Sequence, residues 1–323
     1  MSNFFDNQLL GNSGEFASII RAARLVAMTD VTVLILGESG TGKELLAQAI
    51  HQQSRRTKGP FIAINCAALP ETLAESELFG HRKGAFTGAY ADQQGRIPAA
   101  NGGSLFLDEV GELPLSIQAK LLRVIETGEC QVVGKTNVDR VNTRIIAATN
   151  RDLYAETQQG GFRSDLYYRL NIVPIELPPL RKRLDDLEML LQSFTTQLAQ
   201  QHQLSVPHYS KATLKQLRAY RWPGNIRELR NFCERMLIFF SGKTIEPTNL
   251  PREFQAEKIA TCHHSQGFTL PETGINLETL EIQMIHQALR KTYGNRSKAA
   301  RLLGLTRDTL LYRIKKYAIE IEV

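Results

Sequence analysis

The chain has 323 residues, 42% of them apolar and 22% charged, with Gly at 23 positions, enough for about two domains with cores of their own. That excludes a collagen, a coiled coil, a disulfide-stapled miniprotein and wholesale disorder. The net charge of +6 is uneven: residues 290–317 hold nine Lys/Arg against one acid, Asp308, so the basicity sits in one C-terminal segment and reads as a polyanion footprint.

In chain order, the spacing of Phe16, Ile19, Ile20, Ala23, Val26 and Ala27 predicts a helix over 15–28. An apolar strand at 31–36 runs into Gly37-Glu38-Ser39-Gly40-Thr41-Gly42-Lys43, and 44–51 is helical again. Short apolar runs at 61–64, 104–107, 144–148 and 172–177 alternate with helix-compatible sequence such as 117–126. That is the pattern of an α/β fold, a parallel sheet with helices on both faces. Pro178-Pro179 ends the alternation. Residues 184–201, 211–220 and 226–240 then read as helices, the last entered through Trp222-Pro223-Gly224-Asn225. From about Pro251 to Gly274 periodicity is lost, as in a linker. Cys262-His263-His264 within it fits a solvated loop better than a metal site, because the spacing matches no ligand template. A small helical unit starts at Leu277.

No run approaches the roughly 18–20 apolar residues of a bilayer span, and the N-terminus lacks the basic and apolar parts of a signal peptide. The four cysteines, Cys66, Cys130, Cys233 and Cys262, stand apart with no C-x-x-C pair. A cytoplasmic protein without a zinc framework is expected.

Gly37-x-x-x-x-Gly42-Lys43 between strand and helix is a phosphate loop in its required context. Its backbone N–H groups would surround a β-phosphate while Lys43 reaches the β- and γ-oxygens. Position 44 is Glu, where the general motif has the Ser or Thr that holds Mg²⁺. Leu105-Phe106-Leu107-Asp108-Glu109 is an apolar strand ending in two acids. It places Asp108 near a metal and Glu109 where it could deprotonate a water, so hydrolysis of ATP or GTP is expected.

Gly-Glu-Ser-Gly-Thr-Gly-Lys-Glu at 37–44, Glu-Leu-Phe-Gly-His at 77–81, Gly84-Ala85-Phe86-Thr87-Gly88-Ala89, the strand at 103–109, Phe162-Arg163-x-Asp165-Leu166-x-x-Arg169-Leu170 and Trp222-Pro223-Gly224-Asn225-x-Arg227-Glu228-Leu229 together resemble the AAA+ domain of bacterial sigma-54-dependent activators. The resemblance covers about residues 9–250. Glu44 is usual in that family. It implies that Lys43 and the rest of 37–44 bind ATP, that Asp108 serves Mg²⁺ and that Glu109 activates water. It implies that Asn65 restrains Glu109, that Thr149 with Asn150 and Arg227 are the two nucleotide sensors, and that Arg163 and Arg169 reach a neighbouring subunit's γ-phosphate. Without the resemblance, surface ion pairs would be the simpler reading of those two arginines. It also implies a homo-oligomer, hexameric in the family, in which residues 84–89 touch sigma-54 through Phe86 and Thr87. From the residues themselves, 84–89 is a glycine-flanked loop of little intrinsic order with one exposed aromatic, a contact site by default.

Toward the C-terminus, 296–303 reads as a short helix, Gly304 as a turn and Thr306 as the cap of a second helix to about Tyr317, a helix-turn-helix. It resembles the Fis-type domain that ends many of these activators. Leu303, Leu305, Leu310, Leu311 and Ile314 would be buried, with Arg307, Asp308, Thr309, Tyr312, Arg313 and Lys316 outward. Arg307 and Arg313 could read guanine edges, while Lys298, Lys315 and Lys316 suit phosphate, and Arg296 joins them as a DNA-binding candidate.

The expected organisation is an α/β nucleotide-binding subdomain at 1–178, a helical lid at 179–250, a linker at 251–275 and a helix-turn-helix domain at 276–323. The function implied is a sigma-54-dependent transcriptional activator, bound to upstream DNA, that uses ATP and Mg²⁺ to remodel the sigma-54 RNA polymerase closed complex into the open complex. Fewer than about ten residues precede the similarity, so no receiver domain is expected, as in stand-alone members of the phage-shock activator type, and control by a trans-acting protein is expected instead. A DNA-binding regulator whose nucleotide site is only a switch, and a AAA+ unfoldase or helicase loader, stay open as alternatives.

Overall fold

A computed structural model describes residues 9–255, 276–292, 294–317 and 319. Cys262-His263-His264 and most of the expected linker lie outside the described residues. The chain divides into two compact units, parting at residues 257 and 258.

In the first unit, β1 (Val33–Leu36), β2 (Phe61–Asn65), β3 (Ser104–Asp108), β4 (Arg144–Thr149) and β5 (Val173–Glu176) form a parallel sheet in the order β2-β3-β4-β1-β5. Alternate side chains enter opposite cores. Leu34, Leu105, Leu107, Ile145 and Ala147 join one core, and Val33, Ile35, Phe106, Ile146 and Ala148 join the other. Both faces are covered, which is why the strands read as unbroken apolar runs. Phe106 is 1% exposed, so Phe106→Ala would cost about 3–5 kcal/mol.

Helix α1 (Gly14–Ala27) and helix α2 (Lys43–Gln52) cover the second of these faces. Buried Arg144 fixes α1 to the sheet, donating to the Ala27 and Val26 carbonyls at 3.1 and 2.9 Å. A cation there opposes the negative end of the helix and adds to the Thr29 bonds that the Val26 carbonyl already accepts.

The lid contains helices at Leu187–His202, Lys211–Ala219 and α3 (Asn225–Phe240), packed around Trp222, Leu229, Phe232 and Met236. Its packing runs past residue 250, where the sequence reading ends it. A short helix, Arg252–Gln255, places Phe254 with its ring centroid 4.5 Å from that of Tyr220 and 4.8 Å from that of Phe232. A single apolar anchor on four residues has no period to detect. The two-residue strands His208–Tyr209 and Thr244–Ile245 pair in parallel and escape detection for the same reason.

The second unit has helices at Leu277–Lys291 (α4), Arg296–Leu302 (α5) and Arg307–Lys316 (α6) around Ile285, Leu289, Ala299, Ala300 and Leu310. Asn276, Asn295 and Thr306 cap their N-termini, each side chain accepting a backbone N–H of its helix. Gly304 turns the chain between α5 and α6 with φ +67°, a conformation suited to glycine.

Candidate active site

Leaving β1, the chain turns through Gly40 and Gly42, at φ +78° and +101°, and enters α2 at Lys43. Lys43 is buried, and its Nζ donates to the Gly37 carbonyl at 2.9 Å and to Glu109 Oε1 at 3.2 Å. Thr41 is buried with its hydroxyl on the Glu38 carbonyl, whereas Glu44 is exposed in the first turn of α2. The lid reaches this loop directly. Arg227 donates to Ser39 Oγ at 3.0 Å, and the Ile226 and Arg227 amides both donate to the Gly40 carbonyl. Arg181 pairs in bidentate fashion with Glu38, at 2.7 and 2.5 Å. That guanidinium, assisted by Asn225, lowers the Glu38 pKa to about 2.

Asp108 ends β3, and Glu109 follows in the left-handed region at φ +51°, which costs a non-glycine residue about 1–2 kcal/mol. The Glu109 carboxylate accepts from Lys43 and, at 3.1 Å, from the Asn150 N–H, while the Glu109 N–H donates to Asp108 Oδ1. Thr149 is buried, and its carbonyl accepts the Gly37 N–H at 3.3 Å. Lys43, Asp108, Glu109, Thr149 and Asn150 thus converge at the carboxyl ends of β1, β3 and β4, where open α/β sheets take ligands.

Burial raises the Asp108 pKa, and the neighbouring Glu109 carboxylate adds to this against the pull of Lys43. Two acids facing one ammonium leave room for a cation. Among the described residues no group of three or more His, Cys, Asp or Glu could cage a metal. A one-carboxylate partner of the Asp108 kind suits Mg²⁺, which keeps waters and substrate phosphates as its other ligands. Cys66 nearby is inert: burial and then Asp108 push its thiol up to about 12.

Asn65 lies beside Asp108 across the β2–β3 register, but its side chain accepts the Ala67 N–H at 3.0 Å. Glu109 is held by Lys43 and Asn150 instead of by Asn65, because a buried ammonium draws the nearest carboxylate. Arg163 pairs with Asp165 and Arg169 with Glu126, both on the surface. The backbone N–H of Arg163 is anchored by buried Gln118, whose Oε1 accepts it at 2.9 Å while its Nε2 donates to the Leu113 and Gly161 carbonyls.

The 84–89 loop is more ordered than its sequence suggests. The Gly84 N–H meets the Ala89 carbonyl and the Ala89 N–H the Phe86 carbonyl, at 2.9 and 3.1 Å. Thr87 is exposed; Phe86 is 39% exposed, with its ring 4.9 Å from that of buried His81. Sequence reasoning missed Tyr90 next to the loop, 87% exposed. It also missed the hairpin of Glu129–Cys130 with Asp139–Arg140, whose Val133 exchanges backbone hydrogen bonds with Gly80 and Arg82 at the loop's base. Two-residue strands leave no pattern, although Gly134 marks the turn. Arg181 and Asn225 were missed as partners of the phosphate loop, though Asn225 stands in a motif already singled out.

In the second unit Arg296, Lys298, Arg307, Asp308, Tyr312, Lys315 and Lys316 are exposed. Arg313 departs from expectation: it is half-buried and ion-paired with Glu281 of α4, which also accepts from the Tyr317 hydroxyl at 2.8 Å. An acid on a facing helix redirects it from the outward face. Thr309 is half-buried, bonded to the capping Thr306. No helix among the described residues is long and apolar enough to cross a membrane.

Comparison with known proteins matches residues 9–176 to the Sigma-54 interaction domain, 181–266 to the AAA+ ATPase lid domain and 276–317 to the Fis family of bacterial regulatory proteins. Regulatory protein AtoC of Escherichia coli (strain K12) is 44% identical over 316 residues, covering 97% of this chain and 68% of its own length. DNA-binding transcriptional regulator NtrC of Rhizobium meliloti (strain 1021) is 42% identical, over 97% of this chain and 70% of its own. The crystal structure of NtrX from Brucella abortus in complex with ATP superimposes with a TM-score of 0.72 at 32% identity, covering 97% of this chain and 69% of that one. With its parallel sheet, helical lid and helix-turn-helix, the chain belongs to the bacterial sigma-54-dependent transcriptional activators.

Proposed function

We propose that the chain hydrolyses ATP at the Lys43–Asp108–Glu109 site and, as a ring-shaped homo-oligomer of the hexameric kind, uses the turnover to convert the sigma-54 RNA polymerase closed complex into the open complex. The observation carrying this reading is the convergence of one buried ammonium and two acids at the strand ends, beside a glycine loop. ATP would draw Lys43 from the Gly37 carbonyl onto its phosphates, freeing Glu109 to take a proton from water. Mg²⁺ held through Asp108 would neutralise charge on the phosphates. Thr149, Asn150 and Arg227 would register the γ-phosphate. Arg163 and Arg169, exposed on one subunit, would complete the site of the next, making turnover depend on assembly.

Residues 84–89 would carry the motion to sigma-54 through Phe86 and Thr87, while α5 and α6 hold upstream DNA in the nucleoid. In transcription from a sigma-54 promoter with purified components, ATP should support open-complex formation and a non-hydrolysable analogue should not. Specific ATPase activity should rise with protein concentration, and Lys43→Ala should lower it at least about 100-fold. Opening with the analogue would make the nucleotide a switch and overturn the reading.

A further inference from the structure

Asn225 stands where three pieces of chain meet. It is fully buried and holds φ at +52°, a left-handed conformation that Asn and Asp tolerate better than most residues. Its carboxamide is used at both ends. Oδ1 accepts the N–H of Leu180 at 2.8 Å, where the sheet gives way to the lid. Nδ2 donates to the Ser39 carbonyl at 3.0 Å and to Glu38 Oε2 at 3.2 Å, both in the phosphate loop.

The contact continues along the backbone. A Cβ on Gly40 would lie 2.3 Å from the Gly224 carbonyl oxygen, so loop and lid touch with no space for a side chain. The Ile226 and Arg227 amides both go to the Gly40 carbonyl, at 2.9 and 3.3 Å. In a trans peptide C=O and N–H point opposite ways. A Gly40 carbonyl turned to the lid therefore directs the Thr41 N–H back into the loop, where its own bond, to the Glu38 carbonyl, is a long 3.4 Å.

We propose that Asn225 is a positioning residue for the phosphate loop: through Glu38, Ser39 and the Gly40 peptide it sets the shape in which the loop receives ATP. The lid thus controls nucleotide affinity by a grip separate from the Arg227 side chain. Ordering the loop beforehand removes a cost that binding would otherwise bear. The inference rests on the nucleotide-binding reading above.

Asn225→Asp tests it in the intact chain. This change keeps a residue suited to the left-handed backbone and an acceptor for the Leu180 N–H. It replaces only the donor, setting a carboxylate oxygen against both the Ser39 carbonyl and Glu38. The Kd and KM for ATP should rise about tenfold or more, with kcat altered less than about threefold. Emission of Trp222, the one tryptophan of the chain and fully buried in the lid, should stay native. Adding Glu38→Gln should recover part of the affinity, because the new amide can donate to the introduced carboxylate while the Ser39 carbonyl stays opposed to it. A role confined to lid folding would not respond to a change in the phosphate loop.

Asn225→Gly, which accepts the same φ without the carboxamide, should raise Kd similarly and gain nothing from Glu38→Gln. If Asn225→Asp disturbs Trp222 emission, the Kd of Asn225→Gly decides in the same terms. Unchanged or tighter binding by a folded variant overturns the proposal. Failure of the wild-type chain to bind ATP would instead remove the reading on which it rests.

Discussion

The phosphate loop and the 84–89 loop are both rich in glycine, and glycine serves them for different reasons. At Gly40 the need is closeness: a Cβ would meet the Gly224 carbonyl oxygen at 2.3 Å, and φ is +78°. At Gly84 and Gly88 a Cβ would meet nothing within 4 Å, and only the φ values of +81° and +108° call for glycine. The first loop is clasped by the lid, and the second is tied at its base and open at its tip. A glycine-rich segment can thus be a packed joint or a free finger, and neighbours distant in sequence decide which.

Gly40→Ala attacks closeness and φ together and carries the largest expected effect. ATP turnover should fall about 100-fold or more, and calorimetry should show the thermal midpoint lowered by several degrees, about 2–4 °C per kcal/mol for a unit of this size. Gly88→Ala meets only backbone strain, about 1–2 kcal/mol. It should keep turnover within about twofold yet reduce promoter opening about tenfold, while Thr87→Ala should abolish opening at near-normal turnover. Matched losses of turnover and opening in both variants would erase the distinction between the loops.

The smallest effect concerns the Glu38–Arg181 strut. Arg181 holds the Glu38 pKa at about 2, below its ordinary 4.5. The stability this contributes is complete above that ordinary value and is lost as pH falls towards 2. Both side chains are more than 40% exposed, so solvent screening limits the gain to below about 1 kcal/mol. Between about pH 5 and pH 2.5 the wild type should lose at most about 2–4 °C more in thermal midpoint than Glu38→Gln.

Much of this was legible in the sequence for physical reasons. A sheet buried on both faces must write its strands as apolar runs, as at Val33–Leu36 and Arg144–Thr149. A phosphate loop and a strand ending in Asp108 and Glu109 are local patterns. What escaped depends on which distant surfaces meet. Nothing near Arg313 announces that Glu281 faces it, and nothing near Asn65 shows that Lys43 reaches Glu109 first. Asn225 grips Glu38 across 187 residues, a pairing that no local periodicity encodes.

Gln118 gives the molecule a buried cross-tie. One amide joins the Leu113 carbonyl, just beyond the segment that leaves Glu109, to the base of the helix bearing Arg169 and the backbone of Arg163. In a ring of the proposed kind, the same amide would tie the chain leaving a subunit's own Glu109 to the backbone that carries the arginines lent to its neighbour, so a shift at one end would strain the other.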